Sequence, residues 1–322
     1  MVGNPSDGYH GKTVSLSVGN FAARATLYEW EQVEVVWSEA DRGRFDSVDE
    51  LVRDVRLHGY YGSVRLVKAT IKKFVDFCRR QRLPLHDRNF AVRCTSDIPR
   101  QVGLAGSSAM IVATLRCLMD FYQVEIPLLV QPSLALSVET EELGIAAGLQ
   151  DRVIQVYGGL VSMDFAQQRM TEVCGLMCGA YEPLDPALLP PLYLAYSADE
   201  GEPTEVIHND LRARYRAGEP AVVAAMQRLA ELADEARAAL LRGDSRRLGE
   251  LIDANFEQRR TICKLPVGQV QMVETARAAG ATAHFTGSGG AILGTYPDES
   301  VFQRLQHDLG DIGCKVIKPI VA

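Results

Sequence analysis

The segment Pro99-Arg100-Gln101-Val102-Gly103-Leu104-Ala105-Gly106-Ser107-Ser108-Ala109-Met110 holds the residue types best suited to chemistry. Glycines let a backbone bend and approach a ligand closely, and the two serines add hydroxyls. The apolar stretch 108–122 that follows predicts a helix, whose unpaired N–H groups and positive dipole end would face the loop. Together these make a cradle for phosphate. No Gly-Lys-Ser/Thr is present, so the loop is not a Walker P-loop, and Gly-x-Gly-x-x-Gly is absent here, so it is not a dinucleotide fingerprint. The competing reading is an ordinary loop in which serine caps a helix. Two further places invite attention. Gly287-Ser288-Gly289-Gly290 reads as a turn between short strands, and Pro5-Ser6-Asp7-Gly8 has strong turn chemistry of its own.

A mixed set of elements must position these residues. Alternation at 14–18 predicts a half-buried strand, with further strands at 25–28, 33–37 and 90–94. Val64, Val67, Ile71, Phe74, Val75 and Cys78 recur at helical spacing and predict a helix over 60–80. Another helix runs from Pro132 to about 143, and 160–165 reads as a strand. Pro183, Pro186, Pro190 and Pro191 cluster between two structured regions, which places a domain boundary between 1–182 and 183–322. Beyond it come a strand at 192–196, helices at 205–216, 220–242, 245–261 and 267–279, strands at 283–286 and 291–295 around the glycine turn, a last helix and a strand at 314–317. Pro220 suits a first helical turn, and Gly243 and Gly280 suit helix ends. The expected class is α+β with two domains.

The 322 residues are 47% hydrophobic and 23% charged, enough for a large core. A net charge of −7 argues against a nucleic-acid footprint but leaves room for a local positive pocket. The start lacks the basic and apolar regions of a signal peptide, and no apolar run is long enough to span a bilayer, so the expected compartment is the cytoplasm. The 7 cysteines are scattered without a Cys-x-x-Cys, and the 6 histidines show no His-Glu-x-x-His. Neither a disulfide framework nor a zinc site is expected.

The glycine-serine segment resembles the second motif of the GHMP kinases, the family of galactokinase, homoserine kinase and mevalonate kinase, where the pattern is Pro-x-x-x-Gly-Leu-Gly-Ser-Ser-Ala. Pro99, Gly103, Leu104, Gly106, Ser107, Ser108 and Ala109 match it, with Ala105 additional. Glucuronokinases show the same variant, Ile-Pro-Arg-Gln-x-Gly-Leu-x-Gly-Ser-Ser-Ala, matched from Ile98 to Ala109. The resemblance extends through Asn4-Pro5-Ser6-Asp7, Tyr60-Tyr61-Gly62, Gly148-Leu149-Gln150-Asp151-Arg152-Val153, Gln155-Val156-Tyr157-Gly158-Gly159-Leu160 and Phe285-Thr286-Gly287-Ser288-Gly289-Gly290-Ala291.

That resemblance implies a two-domain α+β GHMP kinase fold with the active site between the domains. It makes Gly103, Leu104, Ala105, Gly106, Ser107 and Ser108, with Gly287, Ser288 and Gly289 of the third motif, the residues that hold ATP. It makes Ser108 and Glu139 the ligands of Mg2+, with Glu141 and Glu142 as competitors for the carboxylate, and Asp151 the catalytic acid group beside the attacking hydroxyl. Asn4 and Asp7 stand where the first motif meets sugar hydroxyls. Arg152 and Arg259, the latter beside Arg260, are the cations for a sugar carboxylate. The family's cation on the strand before the first motif has no counterpart in a chain starting two residues before Gly3, and Lys12 or Arg100 is the expected substitute. The implied reaction is MgATP-dependent phosphorylation of the anomeric hydroxyl of D-glucuronate, giving the 1-phosphate. Alternatives are another sugar (galacturonate, a hexose or a heptose) or a GHMP-fold protein that binds without turnover. The partner is a small molecule, with neither nucleic acid nor membrane, and the state is a monomer or homodimer.

Overall fold

The structure, a computed structural model, describes residues 1–38, 41–58, 64–100, 102–197, 205–287 and 289–322. A 3-10 turn, Ser6–Tyr9, leads into β1 (Lys12–Leu16). Next come β2 (Ala23–Glu29), β3 (Val33–Ser38), β4 (Asp41–Phe45), α1 (Val48–His58), α2 (Arg65–Gln81) and β5 (Phe90–Ser96). α3 (Gly106–Tyr122) and α4 (Gln131–Ser137) follow, and α4 passes directly into a π-helical turn, Val138–Glu142. α5 (Gln150–Tyr157), β6 (Leu160–Asp164), β7 (Thr171–Val173), β8 (Leu176–Cys178) and β9 (Ala180–Leu184) complete this half. The rest runs β10 (Leu192–Ser197), α6 (Glu205–Arg216), α7 (Pro220–Leu241), α8 (Ser245–Ile262), α9 (Val267–Ala278), β11 (His284–Phe285), β12 (Ala291–Thr295), α10 (Glu299–Gly310) and β13 (Cys314–Ile317).

The strands form the sheets β2-β5-β3-β4, β1-β6-β9 and β11-β12-β10-β13, with β7 and β8 as a separate hairpin. Only the β3–β5 pairing is parallel among the described strands. The α2 stripe Val67, Ile71, Phe74, Val75 and Cys78 is buried as its spacing predicts, and Phe74 stacks on Tyr122 of α3 at 5.8 Å. Each such aromatic contributes roughly 1.5–3 kcal/mol by leaving water. α8 is capped by Asp244, whose carboxylate accepts from Arg247 N at 3.0 Å, a cap worth about 1 kcal/mol.

A shared apolar core joins the two halves: Val2, Val14, Leu160 and Leu184 pack with Leu194, Val222, Leu229, Leu251 and Leu293. The 182/183 line falls inside β9, where Pro183 pairs with Val161. β9 is an edge strand, where proline is tolerated. We propose that the domain division lies just past β9, in the 185–191 segment. The helix expected over 132–143 divides into α4 and the π turn. Its hydroxyls explain the change: Ser137 Oγ donates to Leu134 O at 2.7 Å and Thr140 Oγ1 to Leu136 O at 3.1 Å, competing with the regular ladder. Residues 60–63, the start of another expected helix, lie outside the described residues, as does Gln101.

Candidate active site

α3 begins at Gly106 without any side-chain cap, and Ala105 before it takes the left-handed conformation, φ 56°. This non-glycine residue turns the chain so that the first turn of α3 faces the loop. Ser108 is fully buried, yet its Oγ has no hydrogen-bond partner among the described residues. A buried hydroxyl left this way costs about 1–3 kcal/mol, a cost that a ligand would offset. The serine-cap reading therefore does not describe this helix.

Asp151 lies in the first turn of α5, and its side chain is 39% exposed. It lines one cavity of about 540 Å3 together with Gly103, Leu104, Ala105 and Gln150. The cleft walls, and after them the charge of Asp7, push its carboxyl up to about 7. Asp7 is also raised, chiefly by burial, while the Gln150 amide and Arg152 oppose the shift. Gln150 N donates to Asp7 Oδ2 at 3.3 Å. Asp7 packs so closely on Gly148 that a Cβ there would sit 2.0 Å from its Oδ2. The first motif and the Gly148–Asp151 segment are thus one construction.

A buried polar network ties that construction to the third motif. Asn4 Oδ1 accepts from Arg259 Nη1 at 3.0 Å, and the same nitrogen donates to Gly287 O at 2.6 Å. Asn255 uses its whole amide: Oδ1 accepts from Gly3 N at 2.6 Å, and Nδ2 donates to Asn4 O at 3.0 Å and to His284 Nε2 at 2.9 Å. Burial, then the Arg259 charge, holds His284 well below the usual histidine range, so it is neutral and its Nε2 accepts. The third-motif turn in its turn rests on the second: Thr286 Oγ1 donates to Gly103 O at 3.0 Å, and a Cβ on Gly287 would lie 2.8 Å from that oxygen. Gly289 lies in the same turn, and Ser288 lies outside the described residues.

The structure redirects several expected residues. Arg259 is 1% exposed and points inward to Asn4 and Gly287, so it does not face the cleft as a carboxylate ligand. Arg152 is likewise buried, with Nη1 on Gly148 O at 2.9 Å and Nη2 on Glu139 Oε2. Burial brings it down to about 10, and it stays charged. Glu139 sits in the π turn, buried against Arg152. Glu141 and Glu142 turn instead to Lys73 and Lys72 of α2, at 2.5 and 2.6 Å. Lys12 pairs with Asp234 at 2.7 Å and Asp164 at 3.6 Å, and Arg100 is exposed and does not line the cavity. Neither supplies a cation beside Asp151.

Three residues of this site carried no expectation: Gln150, Asn255 and His284. Asn255 did leave a signal. The buried stripe of α8 is Leu248, Leu251, Ile252, Asn255, Phe256, Arg259 and Ile262, so Asn255 and Arg259 occupy core positions of an apolar pattern. Arg116 also lines the cavity, donating to Gln155 O and Val156 O at 3.1 Å. The 318–322 stretch runs beside the cavity, with Gly19 N donating to Ile320 O and Gly159 N to Ala322 O, both at 2.6 Å. The arrangement sets a carboxyl group titrating near neutrality across one cavity from a glycine turn at an uncapped helix start, which suits transfer of an anionic group to a hydroxyl.

Residues 65–159 match the family GHMP kinases N terminal domain. The chain is 43% identical to glucuronokinase 1 of Arabidopsis thaliana, an alignment covering 92% of this chain and 83% of that protein. It is 44% identical to probable glucuronokinase 2 of the same plant, covering 92% and 82%. The fold superposes on Lactococcus lactis galactokinase complexed with galactose with a TM-score of 0.77, at 17% identity, over 99% of this chain and 90% of the other. The chain belongs to the GHMP kinase family and is a kinase with the α+β fold of that family. Its likeness to the two glucuronokinases runs through both halves of the molecule.

Proposed function

We propose that this enzyme transfers the γ-phosphoryl group of MgATP to the anomeric hydroxyl of D-glucuronate, giving glucuronate 1-phosphate and ADP. The observation that carries the reading is the single cavity walled by both Asp151 and the Gly103–Ala105 turn. Phosphoryl transfer needs little covalent chemistry from the protein, only alignment and charge stabilisation. The main-chain amides at the start of α3 and the glycines of the third turn hold the triphosphate. Asp151 accepts the proton of the acceptor hydroxyl as its oxygen bonds to phosphorus and the bond to ADP breaks. A carboxylate near 7 is well matched to that task at neutral pH. Asp7, with Asn4 behind it, addresses the sugar hydroxyls.

Magnesium fits the donors present, an unpartnered buried hydroxyl at Ser108 and a buried carboxylate at Glu139, both hard oxygen ligands. Arg152 does not exhaust Glu139, since a carboxylate accepts about four hydrogen bonds. When bound, the ion would neutralise phosphate charge. The seven free cysteines suit a reducing cytoplasm, no described helix is long and apolar enough to cross a membrane, and a monomer or homodimer suffices for the chemistry.

Incubating the purified chain with MgATP and D-glucuronate and following phosphorus and proton NMR tests the reading. The expected product carries phosphate on C1, formed with one ADP per sugar and only with divalent metal. ADP release confined to a neutral hexose or a non-sugar alcohol would overturn it.

A further inference from the structure

α6 carries Arg212 and Arg216 four positions apart and so on one face of the helix. Like charges at this spacing cost a helix about 0.2–0.5 kcal/mol. Many arginines of this half are neutralised: Arg214 by Glu219, Arg237 by Glu182, Arg277 by Asp253 and Glu257. Arg212 and Arg216 form neither a hydrogen bond nor an ion pair with any described residue. Both line a second cavity, of about 350 Å3, whose other residues include Thr140, Gly144, Ile145 and Ala146. No acidic side chain is among its described lining residues. Two unpaired guanidinium groups beside such a space await an anion.

The cavity lies next to the proposed acceptor site. Gly144–Ala146 and Gln150–Asp151 belong to one short segment, and each end lines one of the two cavities. Ala146 and Gln150 are at most about 14 Å apart along the chain, within the joint reach of a sugar ring and an arginine side chain. Tyr9, two residues after Asp7, packs its ring on Tyr215 of α6 at 4.7 Å and accepts the Tyr215 hydroxyl on its carbonyl at 3.3 Å. Its own hydroxyl lies within electrostatic reach of Asp7 and of both arginines. The first motif and the arginine face of α6 are therefore neighbours.

We propose that Arg212 and Arg216 bind the carboxylate of the sugar-acid acceptor and select a uronate over a neutral hexose. The proposal rests on the sugar-acid reading above and names the cations it lacks, since Arg152 and Arg259 are turned inward. A guanidinium fork matches a carboxylate in shape and charge. A neutral hydroxymethyl group in the same place satisfies neither arginine.

The test is steady-state kinetics of Arg212→Gln, Arg216→Gln and Arg212→Lys with MgATP and D-glucuronate, D-glucose or D-glucose 6-phosphate, beside calorimetric titration of D-glucuronate alone. Each Gln variant is expected to raise KM for glucuronate on the order of 10-fold, the loss of one charged hydrogen bond. Little change is expected in kcat, KM for ATP or melting temperature, because neither side chain bonds to a described residue of the fold. The Lys variant should recover part of the loss, and the binding heat should weaken in parallel. Unchanged glucuronate KM in both Gln variants, equal losses for glucose and glucuronate, or a wild-type preference for the sugar phosphate would each overturn the assignment. A wild type inactive on every uronate overturns the sugar-acid reading and this inference together. An active wild type with unaffected variants overturns this inference alone.

Discussion

Two glycine-rich loops meet at the oxygen of Gly103, and glycine does different work in each. In the turn between β11 and β12 the glycines are dictated by packing and backbone shape. Gly287 lies against the Gly103 carbonyl, and Gly289 has φ 133° with the Gln269 side chain 2.2 Å from where a Cβ would stand. In the second loop Gly103 also takes a positive φ, 68°, but Gly106, the first residue of α3, has an ordinary φ, and the nearest atom to its missing Cβ is in Ile98 at 3.6 Å. No contact among the described residues requires glycine there. The strained residue of that loop is Ala105, not a glycine. We attribute a glycine that packing does not explain to the close approach of a ligand. The same contrast holds for polar groups: Asn255 beneath the third turn uses every hydrogen-bonding atom, while Ser108 beneath the second loop uses none.

Within the two loops, that contrast makes Ser108→Ala the variant with the sharpest effect on catalysis. Losing the hydroxyl proposed to face the metal should lower kcat/KM on the order of 100-fold, about 2.7 kcal/mol of transition-state stabilisation, and raise the magnesium requirement. The melting temperature should hold or rise, because an unsatisfied buried group is removed. A large drop in melting temperature with normal magnesium dependence would make Ser108 a structural residue. Gly289→Ala comes next, with a loss of about 1–2 kcal/mol of stability from its backbone conformation alone, measured by denaturant unfolding. Gly106→Ala is the opposite case. It should leave stability equal or slightly raised, since alanine favours a helix, while KM for ATP rises roughly 10-fold. Equal destabilisation by the two alanines would dissolve the comparison.

The smallest effect extends the contrast to the acid side of the cleft. Asp151 must be ionised to accept a proton, so activity rises with pH through its titration near 7. The Asp7 charge is one cause of that raised value. Asp7→Asn removes the repulsion, so the acidic limb of the kcat/KM profile should move to lower pH. A limb that moves up or stays would uncouple the two carboxylates.

Much of this was legible in the sequence, and the parts that were not share a physical reason. The opening of α3, the stripe of α2 and the glycine turn before β12 are local signals, carried by residues close together in the chain. β7, β8 and β9 escaped notice because the first two have only three residues each and the third contains Pro183. α1 escaped despite Val48, Leu51, Val52 and Val55, which repeat at helical spacing between charges. At the site, Asp7, Asp151 and the second-motif loop came from pattern and resemblance. The inward turn of Arg152 and Arg259 did not. Their partners, Glu139, Asn4 and Gly287, are set by three-dimensional packing. An arginine that reads as exposed on a helix becomes a core residue only when the neighbouring elements arrive.

The central claim is that Asp151, across the cleft from the α3 loop, takes the acceptor's proton. The most direct measurement is the turnover of Asp151→Asn with MgATP and D-glucuronate, beside its melting temperature and nucleotide affinity. The account predicts a fall in kcat of about 1,000-fold with folding and ATP binding retained. Turnover within a few-fold of wild type would contradict it.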